Sequence, residues 1–146
     1  MRDSISLRRA GVDDALALAT TIVAAFEQYR GKLVPESGAF DETPESIAEE
    51  LATHTGAIDA EFDGAMVGCV MFRVYEGDLY FGRLSVLPLA RGLGLAKRLI
   101  AAVEREARLM GLPGVRLGVR VSLTENQRVF QSLGSSIDDL SALWVA

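Results

Sequence analysis

Apolar and polar positions follow two periods along this chain. Residues 4–9 and 115–121 alternate between the two types, which is typical of half-buried strands. Turn residues bound further strands at 57–62, 66–75 and 79–87, and a last strand is expected around Ala142 to Val145. Apolar residues at three- and four-residue spacing predict helices over 13–29, 44–54, 91–110 and 122–134.

Short turns join the middle strands. Asp63-Gly64 suits the primed turns of a β-hairpin, and Glu76-Gly77-Asp78 forms a second turn. Thr43 followed by Pro44 predicts a helix start, because proline is tolerated in the first turn. The order β-α-α-β-β-β-α-β-α-β places hairpins before a strand–helix–strand crossover. It predicts a mixed sheet in a single α/β (mixed α+β) domain over residues 1–146.

Composition narrows the function classes. A formal net charge of -5 and a pI of about 4.9 argue against a nucleic-acid partner, which selects basic surfaces. No signal peptide and no apolar stretch of bilayer-spanning length occurs, so no membrane partner and a cytoplasmic location are expected. The single Cys69 fits a reducing compartment, and His54, the only histidine, excludes a multi-histidine metal site. No metal is expected.

The segment Arg91-Gly92-Leu93-Gly94-Leu95-Ala96 joins a strand to the long third helix. A helix start carries free N–H groups and a partial positive charge, and glycines let the backbone approach a phosphate. Arg91 adds a guanidinium suited to phosphate oxygens. The dinucleotide pattern G-x-G-x-x-G fails at Lys97, and no Walker-type loop occurs. The segment is therefore interpreted as a pyrophosphate cradle, with a purely structural turn as the alternative.

Two motifs make the sequence resemble the GNAT superfamily of N-acetyltransferases. Arg91 to Ala96 satisfies the family's acetyl-CoA signature Q/R-x-x-G-x-G/A, and Asn126, Phe130 and Gly134 fit its second motif. The resemblance covers the chain up to Gly134. It implies a central, mostly antiparallel twisted sheet, flanked by about four helices, whose fourth and fifth strands splay apart at a bulge. Because few residues follow Gly134, a shortened C-terminal hairpin is expected, and a homodimer covering the exposed sheet edge is a hypothesis.

The resemblance also implies a binding mode for acetyl-CoA, the expected cosubstrate. Its pantetheine arm would pair with the backbone of the fourth strand, and its pyrophosphate would lie on the amides after Arg91. The implied contacts are Leu84, Ser85, Val86, Arg91, Gly92, Leu93, Gly94, Leu95, Ala96, Lys97, Asn126 and Phe130. The backbone N–H near Val86 would stabilise the oxyanion that forms as an amine attacks the thioester.

The proton-transfer groups depart from the family pattern. Phe130 stands where many relatives have a tyrosine that protonates the thiolate, so Tyr80, water or an unprotonated thiolate are the alternatives. Tyr80 also occupies the position of the family's usual glutamate base. The nearest carboxylates, Glu76 and Asp78, belong to a turn, and Glu76 is the candidate base.

The acceptor side is expected between the first two helices and along the middle strands. The candidates for substrate binding are Glu27, Tyr29, Arg30, Lys32, Glu36, Arg73, Tyr75 and Arg83. Arg73 and Arg83 would bind an acidic group of the substrate, or would pair with Glu76 and Asp78 across the hairpin.

The function that follows is acetyl transfer from acetyl-CoA to a primary amine, by direct attack in a ternary complex. The acceptor partner is a small molecule or a peptide. The alternative is a non-catalytic protein of the same fold that binds acetyl-CoA as a sensor or scaffold.

Overall fold

The polypeptide, in a computed structural model, builds a five-stranded sheet, and the structure describes residues 4–27, 41–53 and 55–117. The elements are β1 (Ser6–Ala10), α1 (Ala15–Phe26), α2 (Pro44–Leu51), β2 (Thr55–Phe62), β3 (Ala65–Tyr75), β4 (Asp78–Val86), α3 (Leu95–Leu109) and β5 (Val115–Leu117). Single 3-10 turns precede α1 at Val12–Asp14 and follow β4 at Pro88–Ala90. None of the described helices has the length and apolarity to cross a membrane.

The strands lie in the sheet in their sequence order, β1-β2-β3-β4-β5. The first three pairings are antiparallel, and β4 pairs with β5 in parallel. This arrangement confirms the predicted mostly antiparallel mixed sheet. The predicted fourth helix and the strand expected around residue 142 lie outside the described residues, as does the end of the first helix beyond Glu27.

Tight turns set the register of the two central hairpins. Asp63 and Gly64 have φ values of 53° and 77°, and Glu76 and Gly77 have 49° and 83°. Two consecutive left-handed residues are the signature of the primed turn, whose twist matches that of the flanking strands. The hairpin prediction from Asp63-Gly64 is confirmed, and the second turn has the same form.

Helices cover both faces of the sheet. On one face, α1 and α2 bury apolar side chains such as Ile22 against Met71 of β3. On the other face, α3 buries Leu99 against Phe72, also from β3. Each buried side chain of this size contributes roughly 1.5–3 kcal/mol to stability relative to leaving it exposed. Alternate residues of β3 thus serve two cores.

The start of α3 differs from its prediction. The apolar period predicts a helix from Arg91, whereas α3 begins at Leu95, with Gly94 as its N-cap. The reason is conformational, since Gly92 (φ 79°) and Gly94 (φ 76°) both adopt left-handed backbone that a right-handed helix cannot include. Residues 91–94 therefore form a turn between the 3-10 segment and the helix.

Candidate functional site

Two exposed glycines shape the turn before α3. A Cβ added to Gly92 or Gly94 would meet no atom within 4 Å. Crowding therefore does not explain the glycines, and the left-handed φ of both residues does. Because this turn carries no bulky side chain at either position, its backbone is open to a ligand.

The first turn of α3 presents backbone N–H groups without acidic neighbours. The amide of Arg98 donates to the carbonyl of Gly94 over 3.2 Å, so the N–H groups of residues 95–97 precede the helical hydrogen-bond ladder. Gly94 provides no side-chain cap, and the first turn contains no acidic residue. Exposed Lys97 adds a positive charge there. These features together favour an anion at the helix start.

Arg91 faces the protein in this structure. Its Nε donates to the carbonyl oxygen of Val86 over 3.0 Å, and its Nη2 donates to the carbonyl oxygen of Ala25 over 3.1 Å. Ala25 lies in the last turn of α1, where the helix dipole favours a cation. Arg91 thus ties the glycine turn to the end of β4 and to α1, and this positioning contact was not foreseen from the sequence.

β4 contains a bulge next to the predicted cofactor-binding strand segment. Cys69 is opposite Ser85 and Met71 is opposite Gly82, so two steps along β3 match three along β4. The extra residue lies at Arg83, whose φ of 52° is left-handed. The hydroxyl of Ser85 donates to the carbonyl oxygen of Arg83 over 2.8 Å and helps hold the bulge. The bulge implied for the fourth strand is confirmed.

Beyond this bulge, one backbone edge of β4 is open within the described residues. The parallel pairing with β5 runs from Leu79 opposite Val115 to Phe81 opposite Leu117. Further along β4, Gly82, Ser85 and Val86 pair with β3, and none of residues 82–86 pairs with the described part of β5. The structure describes β5 only to Leu117, so the splaying of β4 and β5 stays a prediction. An extended chain could add to this edge by backbone hydrogen bonds.

Close packing holds β4 against the helix that carries the glycine turn. A Cβ on Gly68 of β3 would lie 2.9 Å from the carbonyl oxygen of Ser85 and 3.0 Å from Cδ2 of Leu95. Because real Cβ atoms do not approach backbone oxygens so closely, glycine is needed for this contact. The first turn of α3 and the strand edge at Ser85 are therefore packed closely against Gly68.

Aromatic and basic side chains of β3 and β4 occupy the α1 and α2 side of the sheet. Tyr75 and Tyr80 pack edge to face with ring centroids 5.8 Å apart. The guanidinium of Arg73, opposite Tyr80 in the register, lies 6.0 Å from the Tyr75 ring centroid. The buried Nε of Arg73 has no hydrogen-bond partner among the described residues. The structure thus brings two predicted acceptor-side residues, Arg73 and Tyr75, together with the proton-transfer candidate Tyr80.

Two glutamates of the α2 segment complete this side of the site. Glu42 forms an ion pair with Arg83 at 3.3 Å, with side-chain exposures of 7% and 13%. Glu50, half-buried near the end of α2, has its pKa raised to about 7, chiefly by burial and then by the charge of Glu42. The charges of Arg83 and Arg73 oppose that rise. We call Glu42, Glu50, Arg73 and Arg83 the acceptor-face cluster.

Sequence reasoning missed Glu42 and Glu50. The available signal for Glu50 was its position three residues after buried Ile47, on the apolar side of α2. Glu42 gave no such signal, because it precedes the Thr43 cap and meets Arg83 only through the tertiary fold.

The pairing expected across the second hairpin differs from the contacts observed. Asp78 pairs with Arg116 of β5 at 2.8 Å, and Arg83 pairs with Glu42. Glu76 lies exposed in the hairpin turn. About eight strand residues, or roughly 25 Å, separate that turn from Val86 at the other end of β4. The structure does not bring Glu76 and Val86 together. Tyr29, Arg30, Lys32, Glu36, Asn126 and Phe130 lie outside the described residues.

Comparison with known proteins gives one family and one fold. The family model "Acetyltransferase (GNAT) family" matches residues 20–134. No curated protein matches the sequence.

Solved structures show the same fold at low identity. PaiA N-acetyltransferase from Thermoplasma acidophilum, in complex with coenzyme A, has a TM-score of 0.78 at 17% identity, over 89% of this chain and 88% of its own. Ribosomal-protein-alanine N-acetyltransferase from Brucella melitensis biovar Abortus 2308 has 0.71 at 18%, over 92% and 93%. Aminoglycoside N-acetyltransferase AAC(6')-Iy, in complex with CoA, has 0.69 at 24%, over 90% and 88%.

Proposed function

The chain belongs to the acetyltransferase (GNAT) family, and from this premise we propose that it transfers the acetyl group of acetyl-CoA to a primary amine. The observation that carries the proposal is the glycine turn at Gly92 and Gly94, set between a bulged strand and the uncapped start of α3. A turn of this kind suits a diphosphate, and the neighbouring strand edge suits an extended amide chain. Coenzyme A contains both groups.

Each part of the site would bind a different part of acetyl-CoA. The N–H groups after Gly94 and the ammonium of Lys97 would hold the pyrophosphate of acetyl-CoA. Backbone groups of residues 84–86, beyond the bulge, would bind the pantetheine arm. The N–H of Val86 would then donate to the thioester oxygen as negative charge develops there. Arg91 acts indirectly, by keeping the turn and the strand end in register.

Direct transfer in a ternary complex is supported by the state of the only cysteine. Cys69 lies opposite Ser85 in the sheet and is fully buried. Burial raises the pKa of its thiol to about 12, so the thiol stays neutral at physiological pH. A neutral, buried thiol is a poor nucleophile, which argues against an acetyl-cysteine intermediate.

Tyr80 stays the candidate for protonating the departing thiolate, but about six strand residues, or roughly 20 Å, separate it from Val86, so the proton would have to pass through water. Its ring is half-buried on the α1 and α2 side of β4, edge to face with Tyr75. Tyr80→Phe removes the hydroxyl and keeps the ring contact. A Tyr80 acid predicts a lower kcat with an unchanged KM for acetyl-CoA, whereas equal kcat values would leave water or the free thiolate as the alternatives.

The proposal is tested by measuring coenzyme A release from acetyl-CoA over a panel of amines. The panel includes a polyamine, an aminoglycoside, free amino acids and a peptide with an N-terminal alanine, since the similar structures include enzymes named for two of these classes. Turnover with at least one amine, with the acetyl group recovered on nitrogen by mass spectrometry, is the expected result.

The rival function is that of a non-catalytic acetyl-CoA sensor or scaffold. It predicts thermal stabilisation by acetyl-CoA without coenzyme A release over the whole panel. Lack of stabilisation by both acetyl-CoA and coenzyme A would contradict both functions at once.

A further inference from the structure

A row of polar side chains on α2 and just before it faces the arginines of the sheet. The hydroxyl of Ser46 donates to Oε1 of Glu42 over 3.0 Å, while Oε2 of Glu42 accepts from Nε of Arg83 over 3.3 Å. Glu50 lies one helical turn beyond Ser46, so the two are neighbours on the helix surface. The row therefore places a second carboxylate beside the Glu42–Arg83 ion pair.

The two carboxylates differ in what binds them. Glu42 is held by Ser46 and Arg83. The Glu50 carboxylate makes no hydrogen bond or ion pair with the part of the chain that the structure describes, although it is half-buried and feels the charge of Arg73 and Arg83. A half-buried carboxylate that has no ion-pair partner among the described residues lowers stability, so its presence is better explained by function than by packing.

The cluster lies beside the reacting end of the proposed cofactor site. Arg83 is the bulge residue of β4, and the segment 84–86 that follows it is the proposed pantetheine edge. Because Glu42 reaches Arg83 directly, the α2 row borders the same part of the sheet from the face opposite α3. An amine that enters between α2 and β4 would meet Glu50 on its way to the thioester.

We propose that Glu50 accepts the proton of the substrate ammonium before the amine attacks. This inference rests on the proposed acetyltransferase function and adds to it the proton acceptor. Four charged groups, Glu42 and Glu49 together with Arg73 and Arg83, act on Glu50. A pKa of about 7 suits the role, since a base is most effective when its pKa is near the working pH.

The reaction balances without another reactant. One proton passes from the ammonium to the carboxylate of Glu50, and the neutral nitrogen forms a bond to the carbonyl carbon. The carbon–sulfur bond breaks, and the coenzyme A thiolate leaves with the electron pair. The nitrogen of the product amide loses its second proton, which neutralises the thiolate, and Glu50 returns its proton to water.

The test compares Glu50→Gln with Glu49→Gln in the full chain, using acetyl-CoA and an amine that the parent acetylates. Glu49 is exposed on the same helix turn, so it matches the change in charge and in local sequence. For Glu50→Gln we expect about a 100-fold loss of kcat/KM for the amine at pH 7. The loss should shrink as pH rises toward the pKa of the free amine, and the rise in rate near pH 7 should disappear. Glu49→Gln should keep the parent's kcat/KM and shift the rise in rate only slightly to lower pH, because Glu49 is the smallest of the charges that raise the pKa of Glu50.

Two further measurements separate chemistry from folding. The KM for acetyl-CoA should stay within twofold of the parent, and the melting temperature of Glu50→Gln at pH 8 should not fall, because the substitution removes a desolvated charge. A Glu50→Gln profile parallel to an active parent at every pH would overturn the role of Glu50 alone. A parent inactive toward the whole panel would instead overturn the proposed function on which the inference rests.

Discussion

Nε of Arg91 donates a hydrogen bond to the carbonyl oxygen of Val86 over 3.0 Å. The arginine of the acetyl-CoA signature is thus hydrogen-bonded to the last residue of β4. The same guanidinium reaches the carbonyl oxygen of Ala25 in α1 over 3.1 Å. The guanidinium thereby fixes the glycine turn to the strand end five residues before it and to α1, 66 positions earlier in the sequence. The cradle is positioned by this group as well as by its glycines.

Replacing Arg91 should therefore weaken cofactor binding by loosening the turn. Charge-assisted hydrogen bonds contribute about 1.5–3 kcal/mol each, so Arg91→Ala should lower the affinity for coenzyme A at least tenfold in calorimetry and lower the melting temperature. Arg91→Lys should recover little, because one ammonium lacks the guanidinium's fork. Arg105→Ala, on the exposed side of α3, is the charge-matched control. Equal affinities for the Arg91 and Arg105 variants would contradict the positioning role.

The left-handed backbone of Gly94 predicts a stability loss coupled to a binding loss. Gly94→Ala introduces no clash, but φ of 76° costs a non-glycine residue about 1–2 kcal/mol. Urea unfolding should show that loss, and the affinity for coenzyme A should fall with it.

Gly64→Ala provides the control for Gly94. Gly64 has nearly the same φ, 77°, and also has free space around its Cβ position, but it lies in the β2–β3 turn. It should lose similar stability while keeping full coenzyme A affinity. Equal affinity losses in the two variants would mean that general destabilisation, and not the cradle, is responsible.

Gly68→Ala should separate α3 from the sheet. Its new Cβ would lie 2.9 Å from the carbonyl oxygen of Ser85, a backbone atom that cannot move aside cheaply. We expect a loss of about 1–3 kcal/mol in the free energy of unfolding and weaker coenzyme A binding. Gly11→Ala, at an extended position with no atom within 4 Å of the Cβ, should be nearly neutral. A stable Gly68→Ala variant would show that the helix can shift without cost.

Local patterns predicted the fold because each strand and turn carries its own signal. Asp63 and Gly64 both tolerate the left-handed backbone that a two-residue hairpin turn needs. This turn sets the register between β2 and β3. The start of α3 was predicted four residues early, at Arg91 instead of Leu95, because the spacing of the apolar residues does not mark where the helix begins. Only the φ values of the glycines between them distinguish turn from helix.

The candidate site was predictable only where one continuous segment forms it. The cradle from Arg91 to Ala96 is such a segment. Glu42 and Arg83 are 41 positions apart, and their ion pair depends on how α2 packs over the sheet. Sequence spacing gives no distance for that contact, and the direction of the Arg91 side chain likewise depends on Ala25.

Asp59 should make the folded protein less stable as pH rises from about 4 to about 7. This fully buried carboxylate lies 3.0 Å from Nη2 of Arg8. Neither of its oxygens receives a well-formed hydrogen bond from the described residues. Burial raises its pKa to about 7, and the charge of Arg8 opposes the rise.

Protonation of Asp59 stabilises the folded protein, because the folded state binds this proton more tightly than the unfolded state does. Since the pKa is higher in the folded state than the ordinary value near 4, the folded state gains stability from protonation below that value. The gain is lost through the window up to about 7, at up to about 1.4 kcal/mol per pH unit. Glu50 acts in the same direction and window. Asp14, whose pKa is lowered by Arg8 and by the N–H of Gly11, loses its stabilising effect only as pH falls below its ordinary range.

Asp59→Asn tests this account, because the amide keeps the shape and cannot ionise. Urea unfolding between pH 5 and pH 8 should show a flatter stability profile for Asp59→Asn than for the parent, with the variant gaining relative to the parent at pH 8. Asp63→Asn makes the same change in charge at the exposed hairpin turn, where asparagine tolerates the left-handed φ of 53°, and should keep the parent's slope. Parallel profiles for Asp59→Asn and the parent would mean that Arg8 keeps Asp59 ionised across the whole range, so that its burial does not govern the pH dependence.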